Sequence, residues 1–514
     1  MADETVWEPP GSGLKQIERC CCIANLNFLE VTQTVKNRSQ NKPLQPKQAT
    51  AESNAVHRID AATPFDFSGR NLTPYGGLLP VASLLEKLRF RELVEEKITV
   101  KRQPRSMSVF QFIVAQILAI YVGFARLHHL RFVAADPMLT GVLQVDELPV
   151  QSTFWRFVAS LRVHIPQQLL QIGWRMRERV WAAAHVHLEQ VTLDTDTTVH
   201  TLYGQQMGGR KEYNPKKRGK KSYQPLLTFI AETREYVAGS LRNGYRPNGK
   251  EIARHLEQVF RGLPACVKRK RGRVDSGFYC WDAVQVYEKY ECEFVMSAKK
   301  TARLVEQLKA AAWEPSPRTD ADEQSEFLYQ PEGWDRAYRF LALRYRKKPK
   351  PGESGKVQYQ LFDTSEYVYR AFVTDMKGAI STVVAFYDAR GSAENLIKEA
   401  NNDTGLTAHP YHRFEMNRVH FQLVMLAYNL NCWLLLFNRE EETSSSQMQH
   451  TTLATARLRF LFLAAKIWKH GRRVGVRYGD HYEDKNVFQR LMDRLRSITG
   501  EDGIFGPVLK TVWS

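Results

Sequence analysis

The apolar positions of this chain recur first with helical spacing and then give way to β-branched runs. Between residues 65 and 165 they fall at i, i+3 and i+4, most clearly in Leu78–Phe90 and Phe110–Phe124, which predicts helices. Asp136-Pro137 opens a further short helix, and Ser152 is placed as the N-cap of another reaching Leu161. Residues 166–189 continue as a linking helix carrying Arg175, Arg177 and Arg179. The run Val191-Thr-Leu-Asp-Thr-Asp-Thr-Thr-Val199 is β-branched and predicts a strand. Strands at Tyr223–Ile230 and Glu235–Leu241 follow, then a helix over Asn248–Phe260, a strand ending at Val274-Asp275, a helix over Trp281–Tyr290 and a strand at Phe294–Met296.

Residues 301–370 change texture. Loop signals at Trp313 and Lys347–Gly352, with strand-like runs at Tyr338–Tyr345 and Val357–Phe362, predict a β-rich insertion in an α/β domain. Tyr369–Thr374 resumes the core, one helix spans Val383–Ala400, and Phe414–Phe437 is a strongly apolar helix. A polar linker covers 440–451, and an amphipathic helix over Thr455–Trp468 runs into the basic Lys469–Arg473. Residues 1–60 are polar and aperiodic, the texture of a disordered extension. The expected order is therefore an extension (1–60), a helical region (65–185), a first core segment (186–300), the insertion (301–370), the rest of the core (371–438) and a C-terminal helical region (439–514).

Composition narrows the partners. Of 514 residues 43% are hydrophobic, enough to bury a core, and the two most apolar stretches carry polar interruptions that suit buried helices, not membrane spans. The first residues lack the pattern of a signal peptide, and the seven cysteines contain no C-x-x-C, which fits a reducing cytoplasm. Lys and Arg number 73 against 55 acids, a net charge of +18 that favours a polyanion. The densest run holds Arg210, Lys211, Lys216, Lys217, Arg218, Lys220 and Lys221, with Tyr213 among them; Lys268–Arg271 and Arg344–Lys350 add more. Cations on phosphates give sequence-independent affinity for nucleic acid. Arg126, His128, His129, Arg131 and Arg156 suit either a helix-turn-helix-like DNA reader or a helical cap with solvated arginines. Gly244–Lys250 has P-loop glycine spacing, but Glu251 stands where the Mg²⁺-binding Ser or Thr belongs, so ATP hydrolysis is not supported.

Asp194 and Asp196 lie two apart and share a strand face. Carboxylates in an apolar strand are costly unless something binds them, and hard cations take oxygen ligands. The element order is that of an RNase H-like core, in which three distant carboxylates surround two divalent ions about 3.5–4 Å apart. Asp196 is the first candidate, with Asp194 competing; Asp275, at a strand end, is the second; Glu394 is the third. Tyr387, Arg390 and Glu394, spaced three and four apart, would share one face of one helix, where Arg390 can clamp a phosphate and Tyr387 can touch the DNA backbone.

Tyr387-x-x-Arg390-x-x-x-Glu394 resembles the tyrosine–arginine–glutamate–lysine signature of bacterial cut-and-paste DDE transposases. With Leu193–Val199, Val199–Gly204, Arg273–Phe278, Arg390–Glu399 and Leu426–Leu430, the chain over roughly residues 65–480 is similar to the 1380 family of bacterial insertion sequences. The resemblance implies a metal triad of Asp196, Asp275 and Glu394 holding two Mg²⁺ ions, with Mn²⁺ as a substitute. It implies cleavage of double-stranded DNA at terminal inverted repeats, strand transfer to target DNA, a homodimeric synaptic complex and a nucleoid-associated location. Trp334 in the insertion is either a core tryptophan or, as the resemblance implies, a ring that stacks on an extruded base. The signature lysine would fall at Asn401, and Lys398, about one turn earlier, is the nearest cation. An inactive transposase-derived DNA-binding protein and an RNase H-like nuclease that does not join strands are the alternatives.

Overall fold

The computed structural model describes residues 59–100, 105–212, 214, 215, 217–346, 367–439, 451–501 and 504–506. Most of the expected extension 1–60, Tyr213, Lys216, Lys347–Lys350, Val357–Phe362 and nearly all of the 440–451 linker lie outside them. The N-terminal unit ends at Ser68; its described part is a short turn closed between Asp60 and Thr63.

The second unit, Gly69–Ser514, begins with helices α1 (Leu78–Lys87), α2 (Phe90–Lys97), α3 (Val109–Tyr121), α4 (Pro137–Leu143), α5 (Gln151–Ser160) and α6 (Ile165–Ala183). A capping box between Ser108 and Gln111 starts α3, and its apolar residues on nearly every side bury it. The Asp136 carboxylate accepts the amides of Met138 and Leu139 and so starts α4. Ser152 does not cap α5: the helix begins one residue earlier, with Val150 at the N-cap and Ser152 inside the first turn.

Nine strands form one mixed sheet: β1 (Gln190–Thr197), β2 (Leu226–Ile230), β3 (Tyr236–Ser240), β4 (Arg269–Val274), β5 (Cys292–Ser297), β6 (Glu314–Pro315), β7 (Glu323–Tyr329), β8 (Tyr338–Arg346) and β9 (Tyr367–Thr374). Their order is β3-β2-β1-β4-β5-β9-β8-β7-β6. β1, β4 and β5 are parallel neighbours; every other pairing is antiparallel. Among the described residues, the expected insertion strand at Tyr338–Tyr345, within β8, joins the main sheet through β9, with β7 and β6 beyond it. Helices α7 (Gly249–Arg261) and α8 (Trp281–Lys289) lie in the crossovers between β3, β4 and β5, the connection parallel strands require, and α9 (Ala302–Ala310) follows β5.

The single helix expected over Val383–Ala400 is two, α10 (Ile380–Asp388) and α11 (Gly391–Asn402), broken at Ala389–Arg390. Helix α12 (Phe414–Asn438) is long and apolar enough to cross a membrane, but 94% of its apolar window is buried in the protein. It packs on α1, α3, α5, α6 and β3. Between it and its neighbours lies a buried polar knot. Arg177 on α6 donates to Glu235 Oε1 at 3.0 Å and to the Gly262 carbonyl, while the indoles of Trp181 and Trp433 donate to Glu235 Oε2 and Oε1, both at 2.8 Å. With both carboxylate oxygens satisfied, the buried charge is tolerated.

The C-terminal region is not all helical. Helix α13 (Leu453–Ala456) and a π turn (Arg457–Leu461) lead to a hairpin of β10 (Ala465–His470) and β11 (Arg473–Tyr478), then α14 (Lys485–Arg496). The basic run expected after a helix is the hairpin turn: His470 pairs with Arg473, and Gly471 takes the left-handed φ of +59° that a two-residue turn favours.

Candidate active site

The register of β1 and β4 stacks two charged rungs. Asp194 pairs with Arg273 and Thr195 with Val274, so Asp196 and Asp275 flank each other one step further, at the C-terminal end of both strands. On the lower rung Arg273 Nε and Nη2 donate to the two Asp194 oxygens at 2.7 and 2.8 Å, and Nη1 donates to the Phe386 carbonyl at 2.9 Å. The Asp194 side chain is fully buried, and burial pushes its carboxyl up to about 6 against the pull of Arg273. Both oxygens are committed to this fork.

The upper rung opens into solvent. Asp196 Oδ1 accepts the Thr197 amide at 2.7 Å, and Oδ2 meets Arg390 Nη1 at 3.0 Å. Burial, then the charge of Asp275, pushes Asp196 up to about 6. Asp275 caps a 3₁₀ turn, its Oδ1 accepting the Gly277 amide at 2.9 Å. Glu394 sits exposed in the first turn of α11, where the helix dipole favours a carboxylate, with Oε1 3.6 Å from Arg390 Nη2. All three acids line one open cleft of about 970 Å³, together with Arg390, Lys398, Asn401, Lys299 and Arg246.

The donor set suits a hard divalent cation: three carboxylates supply oxygen ligands. A cationic group already lies among them, because the Arg390 guanidinium bridges Asp196 and Glu394. Its buried Nε has no hydrogen-bond partner among the described residues. No preformed group of three or more metal-ligating side chains occurs among the described residues.

Other expected site residues separate. Tyr387 ends α10, nearly buried against Phe372 at 4.7 Å, so it is not open to a DNA backbone. The break before α11 removes the single helix face expected for Tyr387, Arg390 and Glu394, although the Arg390 guanidinium still lies 5.8 Å from the Tyr387 ring. Trp334 is 6% exposed, packed among Tyr279, Trp281 and Tyr338, so no ring face is free for a base. Arg210, Lys211, Lys217, Arg218, Lys220 and Lys221 are exposed, and Pro215 of the same loop lines the cleft. Arg344 lies between the rings of Trp313 and Tyr367, at 4.4 and 4.3 Å, and pairs with Glu323; Lys268 and Arg271 pair with Glu189 and Glu293. Asn401 contacts His200 Nε2 through Oδ1 at 2.9 Å, and His200 Nδ1 meets His409 Nε2 at 3.1 Å. Burial, with the charges of His200 and His420, lowers His409 to about 2, so its ring is neutral. Sequence reasoning missed this chain, the Arg273 fork, Lys299 and Arg246; the fork sat in a quoted motif, but only the register reveals its partner.

A family model for the transposase DDE domain, group 1, matches residues 60–499. The chain belongs to that family and is an enzyme acting on DNA. Among solved structures it is similar to a piggyBac transposase synaptic complex with hairpin DNA, at 11% identity and a TM-score of 0.37, covering 74% of this chain and 78% of that one. No curated protein sequence matches it.

Proposed function

We propose that this enzyme is a cut-and-paste transposase of the 1380 insertion-sequence type, with Asp196, Asp275 and Glu394 as its metal-binding triad. We read residues 186–300 as the first part of an RNase H-like core, 301–370 as its β-rich insertion, 371–438 as the last strand and helices of that core, and residues 65–185 as a helical DNA-binding region. The observation that carries the reading is the convergence of three carboxylates, 79 (275 − 196) and 119 (394 − 275) residues apart, on one cleft beside exposed cations.

Bound there, a pair of Mg²⁺ or Mn²⁺ ions would supply Lewis-acid activation of the attacking and leaving oxygens. The residues do the rest. Asp196 and Asp275 would offer their carboxylates from two parallel strands, and Glu394 would reach the ions from α11. Arg390, no longer needed between Asp196 and Glu394, turns its charge to the scissile phosphate, with Lys398 beside it. Water attacks the phosphodiester at the end of a terminal inverted repeat, releasing a 3′-OH that attacks the other strand or target DNA, within a dimer of this chain.

The test is cleavage of end-bearing duplex in Mg²⁺ or Mn²⁺ by wild type beside Asp275→Asn and Glu394→Gln. Wild type nicks and joins, and each variant loses at least a hundredfold in rate; variants that nick like wild type remove the triad. One observation favours a second reading, a DNA-binding descendant that no longer cuts: Asn401, where the signature has a lysine, is tied to His200. Binding of the ends without nicking by wild type supports that reading.

A further inference from the structure

A second pocket, of about 310 Å³, opens where β2 begins and β3 ends, beside α7 and the start of α12. Three arginines line it: Arg242, Arg254 and Arg418. Arg242 is held by Glu251 Oε2 at 2.7 Å and by the Tyr245 carbonyl, and Arg418 donates to Glu415 at 2.8 Å. Arg254 is exposed and forms no ion pair among the described residues. Glu251 is the one acid on the wall, leaving a net positive pocket. Its floor includes His255, fully buried, with Nε2 fixed by Thr228 at 2.7 Å and Nδ1 without a partner.

The pocket is not isolated. Arg242 and Asn243 line it, while Arg246 and Pro247, a few residues on, line the catalytic cleft. Tyr245 stands exposed between them, with the guanidinium of Arg210, from the basic loop, 5.6 Å from its ring. Lys398, Lys299 and Arg246 thus line the cleft, Arg242, Arg254 and Arg418 line the pocket, and the 242–247 loop, with Arg210 against Tyr245, contributes to both. Rows of cations with an interleaved aromatic track a phosphodiester backbone.

We infer that this pocket and the 242–247 loop seat the DNA backbone several nucleotides away from the bond being cut, as a continuation of the catalytic cleft. The inference rests on the proposed DNA-cleaving reading of that cleft. Arg254 and Arg418 supply the phosphate contacts; Arg242 is braced by Glu251 and holds the loop in place.

The experiment measures equilibrium binding of full-length protein to two duplexes bearing the same end, one stopping at the cleft and one extended by ten base pairs, across a salt series. For wild type, log K against log salt is steeper on the long duplex. In Arg254→Ala/Arg418→Ala the extra slope, about 1–2 contacts' worth, is lost, and affinity for the long duplex falls roughly tenfold. Arg254→Lys/Arg418→Lys, which keeps the charge, retains the slope and shows that the alanine pair is not merely misfolded. Equal slopes on both duplexes for wild type overturn the inference. So does a thermal shift by inorganic phosphate that needs Arg254 while duplex length has no effect, because the pocket is then a small-anion site. Wild-type cleavage, run in parallel, tells the two failures apart: nicking with no length effect sinks only this inference, whereas binding with no nicking sinks the catalytic reading.

Discussion

Replacing Arg273 with methionine tests whether Asp194 is a structural acid or a ligand. The Arg273 and Asp194 side chains are 5% and 0% exposed, joined by bonds of 2.7 and 2.8 Å directly beneath the Asp196–Asp275 rung. Removing one partner of a buried pair strands the other charge, at a cost of about 3–5 kcal/mol. Spread over a unit this large, the melting temperature falls by roughly 3–6 °C. The carboxylate has an escape: its pKa already stands at about 6, so without Arg273 it takes up a proton near neutrality, and the loss is smaller at pH 5.5 than at pH 8. The double variant Asp194→Leu/Arg273→Met removes both charges and recovers most of the loss, because well-packed apolar replacements of buried pairs are often neutral. A double-mutant cycle in urea, read by circular dichroism at both pH values, measures the coupling. A cost for Arg273→Met under about 1 kcal/mol, or two single losses that simply add, refutes the buried-pair argument. If Asp194→Asn abolishes Mg²⁺-dependent cleavage at a temperature where the variant is folded, Asp194 is a ligand after all.

Two further outcomes are expected. Millimolar Mg²⁺ raises the melting temperature of wild type and EDTA reverses it, since binding to the native state alone stabilises it; the shift shrinks in Asp196→Asn and Asp275→Asn, and an equal shift in all three places the cation elsewhere. His420 is buried, and burial holds its pKa down at about 4, so below the ordinary value of about 6.5 the unfolded chain binds the proton first. Its contribution therefore falls as pH drops from about 6.5 toward 4, by at most about 1.4 kcal/mol per pH unit. Asp194 and Asp196, whose pKa values are raised, act in the opposite sense over that range, so the comparison is with His420→Asn: the stability gap between wild type and variant must narrow on acidification, and a constant gap is inconsistent with a neutral buried ring.

The alternation and capping signals made several elements readable in the chain: the Asp136 cap, the apolar α3 and α12, and the strand carrying Asp194 and Asp196 all follow from local pattern. What stayed hidden depended on distant partners. For Trp334 the sequence leaves a core place and a base-stacking place both open, and only the rings of Trp281 and Tyr338, from other elements, decide for the core. Asp194 and Arg273 are 79 residues apart, and only the parallel register makes them one rung. The β10–β11 hairpin was masked because Ala465, Ile467 and Trp468 also fit a helical face; Gly471 in the turn was the overlooked signal. The break at Ala389–Arg390 has neither proline nor glycine at the junction, and Gly391 one residue later is weak warning.

The packing of α12 sets a schedule for synthesis. Its partners α1, α3, α5, α6 and β3 leave the ribosome before it does, and α13 and α14 after it. From the end of α3 at Tyr121 to the end of α12 at Asn438 is 317 residues (438 − 121). At roughly 5–20 residues per second, α3 waits about 15–60 s for the helix that covers it. For that interval the nascent chain presents an uncovered apolar surface, a natural client for holding chaperones. A ribosome that stalls before Phe414 has already delivered Asp196, Asp275 and Glu394 but none of the α12 surface that locks α6 and β3 together. The shape of the cleft thus waits on a segment that contributes none of the three acids.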